Sequence, residues 1–549
     1  ENENDLRKIE NIYPLTRGIL LKDIKNILNS GKSYITNFDE WLSDDLIKKY
    51  QFQTFENSLK KIHFPENLDD VENKDKYRKR LSIDELISNY FAIRYLKEKT
   101  KKKELALKLN DDEQLLAIQN LPFKLTNKQL QAINQINQLN KSNYRESILL
   151  QGDVGSGKTI IALLTAMPFI TTGHQVAYMA PTEILAQQIF DNLKTFLKSS
   201  NIRSVLLTGS VKNKSEIYDK VQKKEINFII GTHAIFQEKL QFNNLSYVII
   251  DEQHRFGVQQ RLSLAEKGIN TNILLMSATP IPRTLALAQY GEIEQIIVDE
   301  RPAFQKQVIT KVSNRDKLKE LILFLKKNIN AYQQAYWVCP LVEASDNQQY
   351  KDVETRYKSL KKTFGKEVEF LHGKMKSDEK EKIIQDFRKG IIKLLVATTV
   401  IEVGIDNKNA NFIIIENAEK FGLSQLHQLR GRVGRGSIQG YCFVLYGDEI
   451  TDNSTERLKI FKNTHDGFLL AEKDLEIRGT GDILGYRQSG DSLFKFVNVQ
   501  SDQEIIIDAL EYVKKIISKK IYEDDNFKKN IYKLLVFFKQ QEAIKLLFS

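Results

Sequence analysis

Only two cysteines occur in the 549 residues, and each lies inside an apolar run, Cys339 in YWVCPL and Cys442 in GYCFVLYG. That excludes a disulfide framework and a cysteine-bound zinc site, and it reads both as reduced core residues. No stretch approaches the ~18 to 20 uninterrupted apolar residues of a membrane span, and the opening ENENDLRKIENIYPLTRG lacks the apolar core of a secretion signal. The expected location is the cytoplasm, with no membrane partner. Internal repeats of roughly 20 to 50 residues and long low-complexity tracts are also missing, which leaves out solenoids and biased linkers. The chain opens on Glu1 rather than Met, as a fragment or a processed form does.

What is present fits a folded, multidomain chain. At 549 residues the sequence is too long for one hydrophobic core, and about 150 residues per domain gives three or four units. Hydrophobic residues at 41% and charged residues at 28% exclude wholesale disorder. A net charge of +11 favours a polyanionic partner, because each phosphate contact releases condensed counterions. The same surplus also follows from a general bias toward Lys, Asn and Ile, so charge only tilts the reading.

Residues 1–104 are rich in Lys, Glu, Asp and Leu, and RLSIDELISNYFAIRYLKEKTKKKELALKL spaces its apolar residues three and four apart, the pattern of a long amphipathic helix. From about 121 the texture changes to short Val/Ile/Leu runs that alternate with helical stretches, which implies parallel sheets with crossovers. Six strands are expected first, in SILLQG, QVAYMAPT, SVLLTG, NFIIGTH, SYVIIDEQH and NILLMSATP. After a break near Glu300-Arg301-Pro302 five more follow, in QAYWVCPL, VEFLHG, IKLLVATT, NFIIIENA and GYCFVLYG. The expected domains are a helical region at 1–104, a first lobe at 105–302, a second at 303–450, and a helical hairpin with an accessory region at 451–549. Ligands of such sheets bind beyond the carboxyl ends of the strands, where these runs end in polar or glycine-rich clusters.

Gly152-Asp153-Val154-Gly155-Ser156-Gly157-Lys158-Thr159 fits G-x-x-x-x-G-K-[ST] between the strand SILLQ and the helical IIALLTAM. A chance match in a chain this long is expected only a few hundredths of a time, about, at average residue usage. The glycines let backbone N–H groups turn in around a β-phosphate, Lys158 reaches the β/γ-phosphates, and Thr159 can ligate Mg²⁺. Asp251-Glu252 follows the run YVII and emerges at the same edge. An acidic pair after a strand is often only a solvated loop. With a phosphate loop upstream, Asp251 reads as the Mg²⁺ carboxylate and Glu252 as the residue that orients and deprotonates the attacking water. QLHQLRGRVGRG, Gln425 to Gly436, lies in the second lobe, which has no phosphate loop of its own. Arg432 and Arg435 therefore read as fingers that reach the γ-phosphate from across a cleft, the competing view being a basic phosphate-binding surface.

In order, the phosphate loop, APTEILAQQ, DEQH, MSATPIPRT, ATTVIEVGID and QLHQLRGRVGR resemble superfamily-2 helicases. The resemblance implies two tandem RecA-like α/β lobes with parallel sheets, flanked by an amino-terminal helical linker and a carboxy-terminal helical hairpin. It implies ATP and Mg²⁺ as cofactors, and DNA-backbone contacts by Pro181, Thr182, Thr208, Gly209, Thr232, His233, His372, Gly373, Thr398 and Thr399. Ser277, Ala278 and Thr279 would link the nucleotide site to those loops, and His254 would signal to Gln428. Longer strings, LPFKLTNKQ, DEQHRFGVQQR, SATPIPRTLAL, QAYWVCPLVEAS and RGTGDILGYRQSG, are similar to the RecG branch-migration helicases almost end to end. By that likeness Phe123 packs on adenine, Gln129 bonds its edge, and Arg457, Arg478 and Gln488 couple the motor to its translocation element. Branched or forked duplex is then the expected partner, the expected state is a monomer, and a single-stranded-DNA-binding protein is an expected contact. Two departures stand out. The family's amino-terminal wedge domain has no counterpart in residues 1–549, and RGTGD stands where the family usually has RGPGE. A DExH-type RNA helicase is the main competing reading, followed by the motor of a transcription-repair coupling factor and a decayed ATPase that only binds nucleic acid.

Overall fold

Short apolar runs that are buried on both faces can pair only with one another, and in the computed structural model of the chain they build two sheets that are parallel throughout. The structure describes residues 9, 11–13, 19–35, 39–99, 107–142, 146–196, 202–252, 271–278, 293–300, 306–329, 333–340, 346–372, 375, 377–398, 407–436, 438–447, 450–478, 494–499, 501–541 and 544. These fall into two compact units. One holds both sheets and comprises Glu104–Pro282 and Glu294–Ile477, and the other gathers Glu1–Lys103, Arg283–Ile293 and Arg478–Ser549.

The first sheet contains β1 (Ser147–Gly152), β2 (Gln175–Met179), β3 (Ser204–Leu207), β4 (Phe228–Gly231), β5 (Leu245–Ile250), β6 (Asn272–Ser277) and β7 (Glu294–Val298), in the order β3-β4-β2-β5-β6-β1-β7. β1 lies between β6 and β7, with Leu149 opposite both Leu275 and Gln295. The helix Lys158–Thr171 is apolar all round and packs on this sheet, where Phe169 stacks on Tyr247 at 4.5 Å. The second sheet contains β8 (Ile309–Asn314), β9 (Gln334–Val338), β10 (Val368–Leu371), β11 (Leu394–Ala397), β12 (Ala410–Ile415) and β13 (Tyr441–Tyr446), in the order β10-β11-β9-β12-β13-β8. Trp337 at its centre is fully buried, and burying such a ring is worth about 3 kcal/mol. Cys339 and Cys442 are both buried, and burial pushes the Cys442 thiol up to about 12.

Eleven of the thirteen strands among the described residues coincide with the runs read from sequence. The additional two, β7 and β8, are sheet edges. Only two of the five residues of β7 are buried and none of the six in β8, so neither shows a continuous apolar run.

The helix Lys74–Lys99 corrects one expectation. It is not amphipathic in place, because from Arg80 to Ala92 every residue except Asn89 is buried. The helices Phe55–His63, Gln503–Ser518 and Asp525–Phe537 pack around it. Its polar residues are matched inside this unit. Arg80 pairs with Asp84 at 2.9 Å and Glu40 at 2.8 Å, Trp41 Nε1 donates to Asp84 at 2.7 Å, and Arg78 reaches Asp502 at 2.7 Å. Sequence from both ends of the chain thus shares one core, and 451–549 is divided: Asp452–Ile477 folds with the sheets, the rest with the amino-terminal helices.

Candidate nucleotide and nucleic-acid site

The phosphate loop leaves β1 at Gly152 and re-enters helix at Lys158, with Gly155 and Gly157 both at φ 86°. At Gly157 nothing larger fits, since a Cβ there would lie 2.3 Å from Gln129 Nε2. Gln129 is braced against this loop. Its carbonyl accepts from Thr126 N at 2.9 Å in a capping box that starts the helix Asn127–Asn140, and its amide donates to Ser156 O at 2.8 Å. Phe123, three residues before the cap, is 37% exposed.

Lys158 is buried and donates to the loop's own carbonyls, Gly152 O at 2.8 Å and Asp153 O at 2.9 Å. Burial holds its ammonium below the usual lysine range, Glu252, Asp251 and Asp153 pull it back up, and Arg435 of the second lobe adds to the lowering. Asp251 emerges from β5 with Oδ1 accepting from Glu252 N at 2.9 Å and Oδ2 accepting from the Tyr178 hydroxyl at 3.2 Å. Burial first, then the Glu252 charge, push its carboxyl up to about 7 against the pull of Lys158. Two crowded carboxyl groups beside the Thr159 end of the loop suit a divalent cation, which needs only one or two protein carboxylates when phosphates supply other ligands. Glu252, at φ 48°, accepts from Ala278 N at 3.4 Å, which ties the Ser277-Ala278 segment to this carboxylate.

Because Asp251 is held protonated above its unfolded range, its ionisation destabilises the nucleotide-free fold as pH rises from about 4 through about 7. Asp251→Asn is therefore expected to abolish ATP hydrolysis yet raise the melting temperature of the nucleotide-free protein at pH 8, and to raise it less at pH 5. Thermal melts of both proteins without Mg²⁺ or nucleotide check this.

The helix Leu423–Arg430 of the second lobe meets the phosphate loop. His427 Nε2 bonds the Asp153 carboxylate, and a Cβ on Gly431 would lie 2.6 Å from Val154 Cβ, so only glycine allows this approach. Arg435 Nε donates to Gly431 O at 2.9 Å. Arg432 and Gln428 are both buried. Lys158, Asp251, Glu252 and Arg435 thus share one neighbourhood although nearly 280 residues separate the first and last. Sequence reasoning missed Asp474, whose carboxylate accepts from Leu423 N and Ser424 N, both at 3.1 Å. Its signal was indirect: Gly422 at the N-cap has no side chain, so a cap must come from elsewhere.

The candidate nucleic-acid residues follow the ends of other strands, β2, β3 and β4 in the first sheet and β10 and β11 in the second. The nucleotide residues follow β1, β5 and β6 or precede β13, so the two sets occupy different parts of each sheet edge. Thr208, Thr232 and Thr398 are buried, and Thr208 Oγ1 bonds Ser210 Oγ at 2.9 Å. Hydroxyl contact by these three is therefore not displayed at the surface, whereas Gly209 and His233 are exposed and Pro181, Thr182 and His372 partly so. Thr182 Oγ1 accepts from Leu185 N at 3.3 Å. Arg457 donates to Glu419 O at 2.8 Å, Ser454 Oγ at 2.8 Å and Phe421 O at 3.2 Å, anchoring its helix inside the second lobe. Arg478 ends the helix Gly467–Arg478. His254, Thr279, Gly373, Thr399 and Gln488 lie outside the described residues.

A phosphate loop and acidic pair on one parallel-sheet lobe, facing arginines on a second, define a two-lobed helicase motor. Residues 126–288 match the DEAD/DEAH box helicase family and 308–437 the helicase conserved C-terminal domain. The ATP-dependent DNA helicase RecG of Borreliella burgdorferi is 42% identical over 511 residues, 91% of this chain and 73% of that protein. The RecG of Aquifex aeolicus is 42% identical over 514 residues, 91% of this chain and 64% of that protein. The solved structure of RecG bound to a three-way DNA junction matches with a TM-score of 0.68 and 37% identity, over 92% of this chain and 67% of that one. The chain belongs to the RecG family of ATP-dependent DNA helicases. No helix among the described residues is long and apolar enough to cross a membrane.

Proposed function

We propose that the chain converts ATP hydrolysis into movement along DNA and remodels branched duplex, such as stalled forks and four-way junctions, in recombination and repair. The observation that carries this is the meeting of Lys158, Asp251 and Glu252 with Arg435 at one seam, apart from the strand ends that carry the nucleic-acid candidates. ATP would lie with its adenine between Phe123 and Gln129 and its phosphates in the loop Gly152–Thr159. Thr159 and Asp251 would hold Mg²⁺, directly or through water, and the ion would supply charge neutralisation at the β- and γ-oxygens. Glu252 orients the attacking water, and Arg432 and Arg435 stabilise the charge that develops on the γ-phosphoryl group. Closure of the lobes then moves the loops at Pro181, Thr208, Thr232, His372 and Thr398 along the backbone. Action as a monomer and contact with a single-stranded-DNA-binding protein belong to the same reading.

Hydrolysis by the chain is expected to be stimulated most by forked DNA, less by linear duplex and single strand, and least by RNA, with affinity falling steeply as salt rises. Steady-state ATPase measured with each nucleic acid decides this. Stimulation by RNA but not by forked or duplex DNA would replace the reading with an RNA helicase.

A further inference from the structure

We propose that Tyr178 is a positioning residue for the metal site, its buried phenol hydroxyl joining Thr159 to Asp251 so that both are set to receive one divalent cation. The proposal rests on the reading above that these two residues hold Mg²⁺, and it adds a residue from β2, a strand that carries neither the phosphate loop nor the acidic pair.

Strand periodicity puts the hydroxyl where it is. Tyr178 and Ile249 are paired in register on the neighbouring strands β2 and β5, and residues two apart on a strand share a face. Asp251 therefore follows Ile249 on the Tyr178 side of the sheet, one repeat nearer the carboxyl edge. A phenol is long enough to span that repeat. Its hydroxyl donates to Asp251 Oδ2 at 3.2 Å, and the Thr159 side chain bonds the same hydroxyl. The ring is fully buried in the apolar cluster under the helix Lys158–Thr171, which holds it in place. Asp251 N donates to Met179 O at 2.9 Å, so the backbone beside the pair is fixed as well.

With Asp251 ionised, the hydrogens of this trio can be distributed in one way. A phenol has a single hydrogen, and the carboxylate, which can only accept, takes it. Thr159 then gives its own hydrogen to the phenol oxygen, which leaves the lone pairs of Oγ1 for a cation. Asp251 is meanwhile held by two donors, Tyr178 at Oδ2 and Glu252 N at Oδ1. Groups that orient the ligands of a metal are worth roughly 10- to 100-fold in its affinity. A buried phenol on this face need not act so. The hydroxyl of Tyr247 on β5 bonds Thr165 Oγ1 at 3.2 Å, further along the same helix, and supplies a control of the same chemistry.

The test measures the Kd of a fluorescent, non-hydrolysable ATP analogue on the full chain, once with saturating Mg²⁺ and once with EDTA. Tyr178→Phe removes the hydroxyl and keeps the ring. It is expected to weaken binding with Mg²⁺ by at least about 10-fold and to leave binding in EDTA within about two-fold of the parent. Tyr247→Phe is expected to match the parent in both conditions, which separates the metal effect from the loss of any buried hydroxyl. Added to Asp251→Asn, Tyr178→Phe is expected to weaken binding with Mg²⁺ by less than it does alone, because one of its two partners is already altered. Parent-like binding with Mg²⁺ in Tyr178→Phe, an equal loss in EDTA, the same shift in Tyr247→Phe, or the full effect on top of Asp251→Asn would each overturn the proposal. If Tyr178→Phe melts below the assay temperature, Tyr178→Met, flexible enough to fill the same space, is read by the same criteria. A parent that binds the analogue equally with Mg²⁺ and with EDTA would sink the assignment of Mg²⁺ to Thr159 and Asp251 itself, an outcome seen before any variant is made.

Discussion

Lys158→Ala is expected to lower ATP hydrolysis by at least ~10²-fold while leaving DNA affinity largely intact. The lysine is buried, depressed by that burial, and bonded among the described residues to two carbonyls of its own loop. It is a charge stored where solvent does not stabilise it, and the β- and γ-phosphates would be its natural partners. Removing it takes away the cation that pulls the Asp251 carboxyl down, so the phosphates would meet a more negative site. The nucleic-acid candidates follow other strands, β2, β3, β4, β10 and β11. A coupled ATPase assay and fluorescence anisotropy with labelled forked DNA measure the two effects, and parent-like turnover contradicts the assignment.

The second large effect is expected at Arg435. A finger supplied across a cleft is worth about 10³ to 10⁵ in rate, so Arg435→Ala should lose hydrolysis on that scale while the KM for ATP moves only a few-fold. Arg435 Nε is fixed on Gly431 O, and Gly431 is pressed against Val154 of the phosphate loop, so the guanidinium is positioned by backbone of its own lobe at the point of closest approach. Arg435→Lys is expected to restore little, because a lysine cannot use one nitrogen for that carbonyl and others for the phosphoryl oxygens. Arg432→Ala should fall in the same direction. Steady-state kcat and KM with saturating forked DNA check all three, and a kcat within three-fold of the parent for Arg435→Ala would remove the finger role.

The interior strands were legible because a strand buried on both faces must be apolar along its whole length, as in SILLQG and NFIII. β7 and β8 were not, since with two buried residues and none they show no continuous apolar run. The helix Lys74–Lys99 misled for the opposite reason: its polar residues Arg80, Asp84 and Glu85 look solvent-facing in sequence, but partners at Glu40, Trp41 and Phe496 satisfy them in the interior. Within the site, Lys158, Asp251, Glu252 and Arg435 were candidates because phosphoryl transfer constrains both residue type and local spacing, and the structure brings them near one another. His427 and Asp474 could not be assigned their contacts, which depend on which residue a distant segment brings near. No local pattern says that a histidine in one lobe will meet an aspartate 274 positions earlier.

The central claim is that one triphosphate is held from both sides, by Lys158 on the first lobe and by Arg432 and Arg435 on the second. A crystal structure of the chain with Mg²⁺ and a non-hydrolysable ATP analogue tests it most directly. The account predicts the Lys158 ammonium and at least one of the two guanidinium groups within hydrogen-bonding distance of the γ-phosphate. A nucleotide bound by the first lobe alone, with both arginines turned away from it and engaged elsewhere, would contradict it.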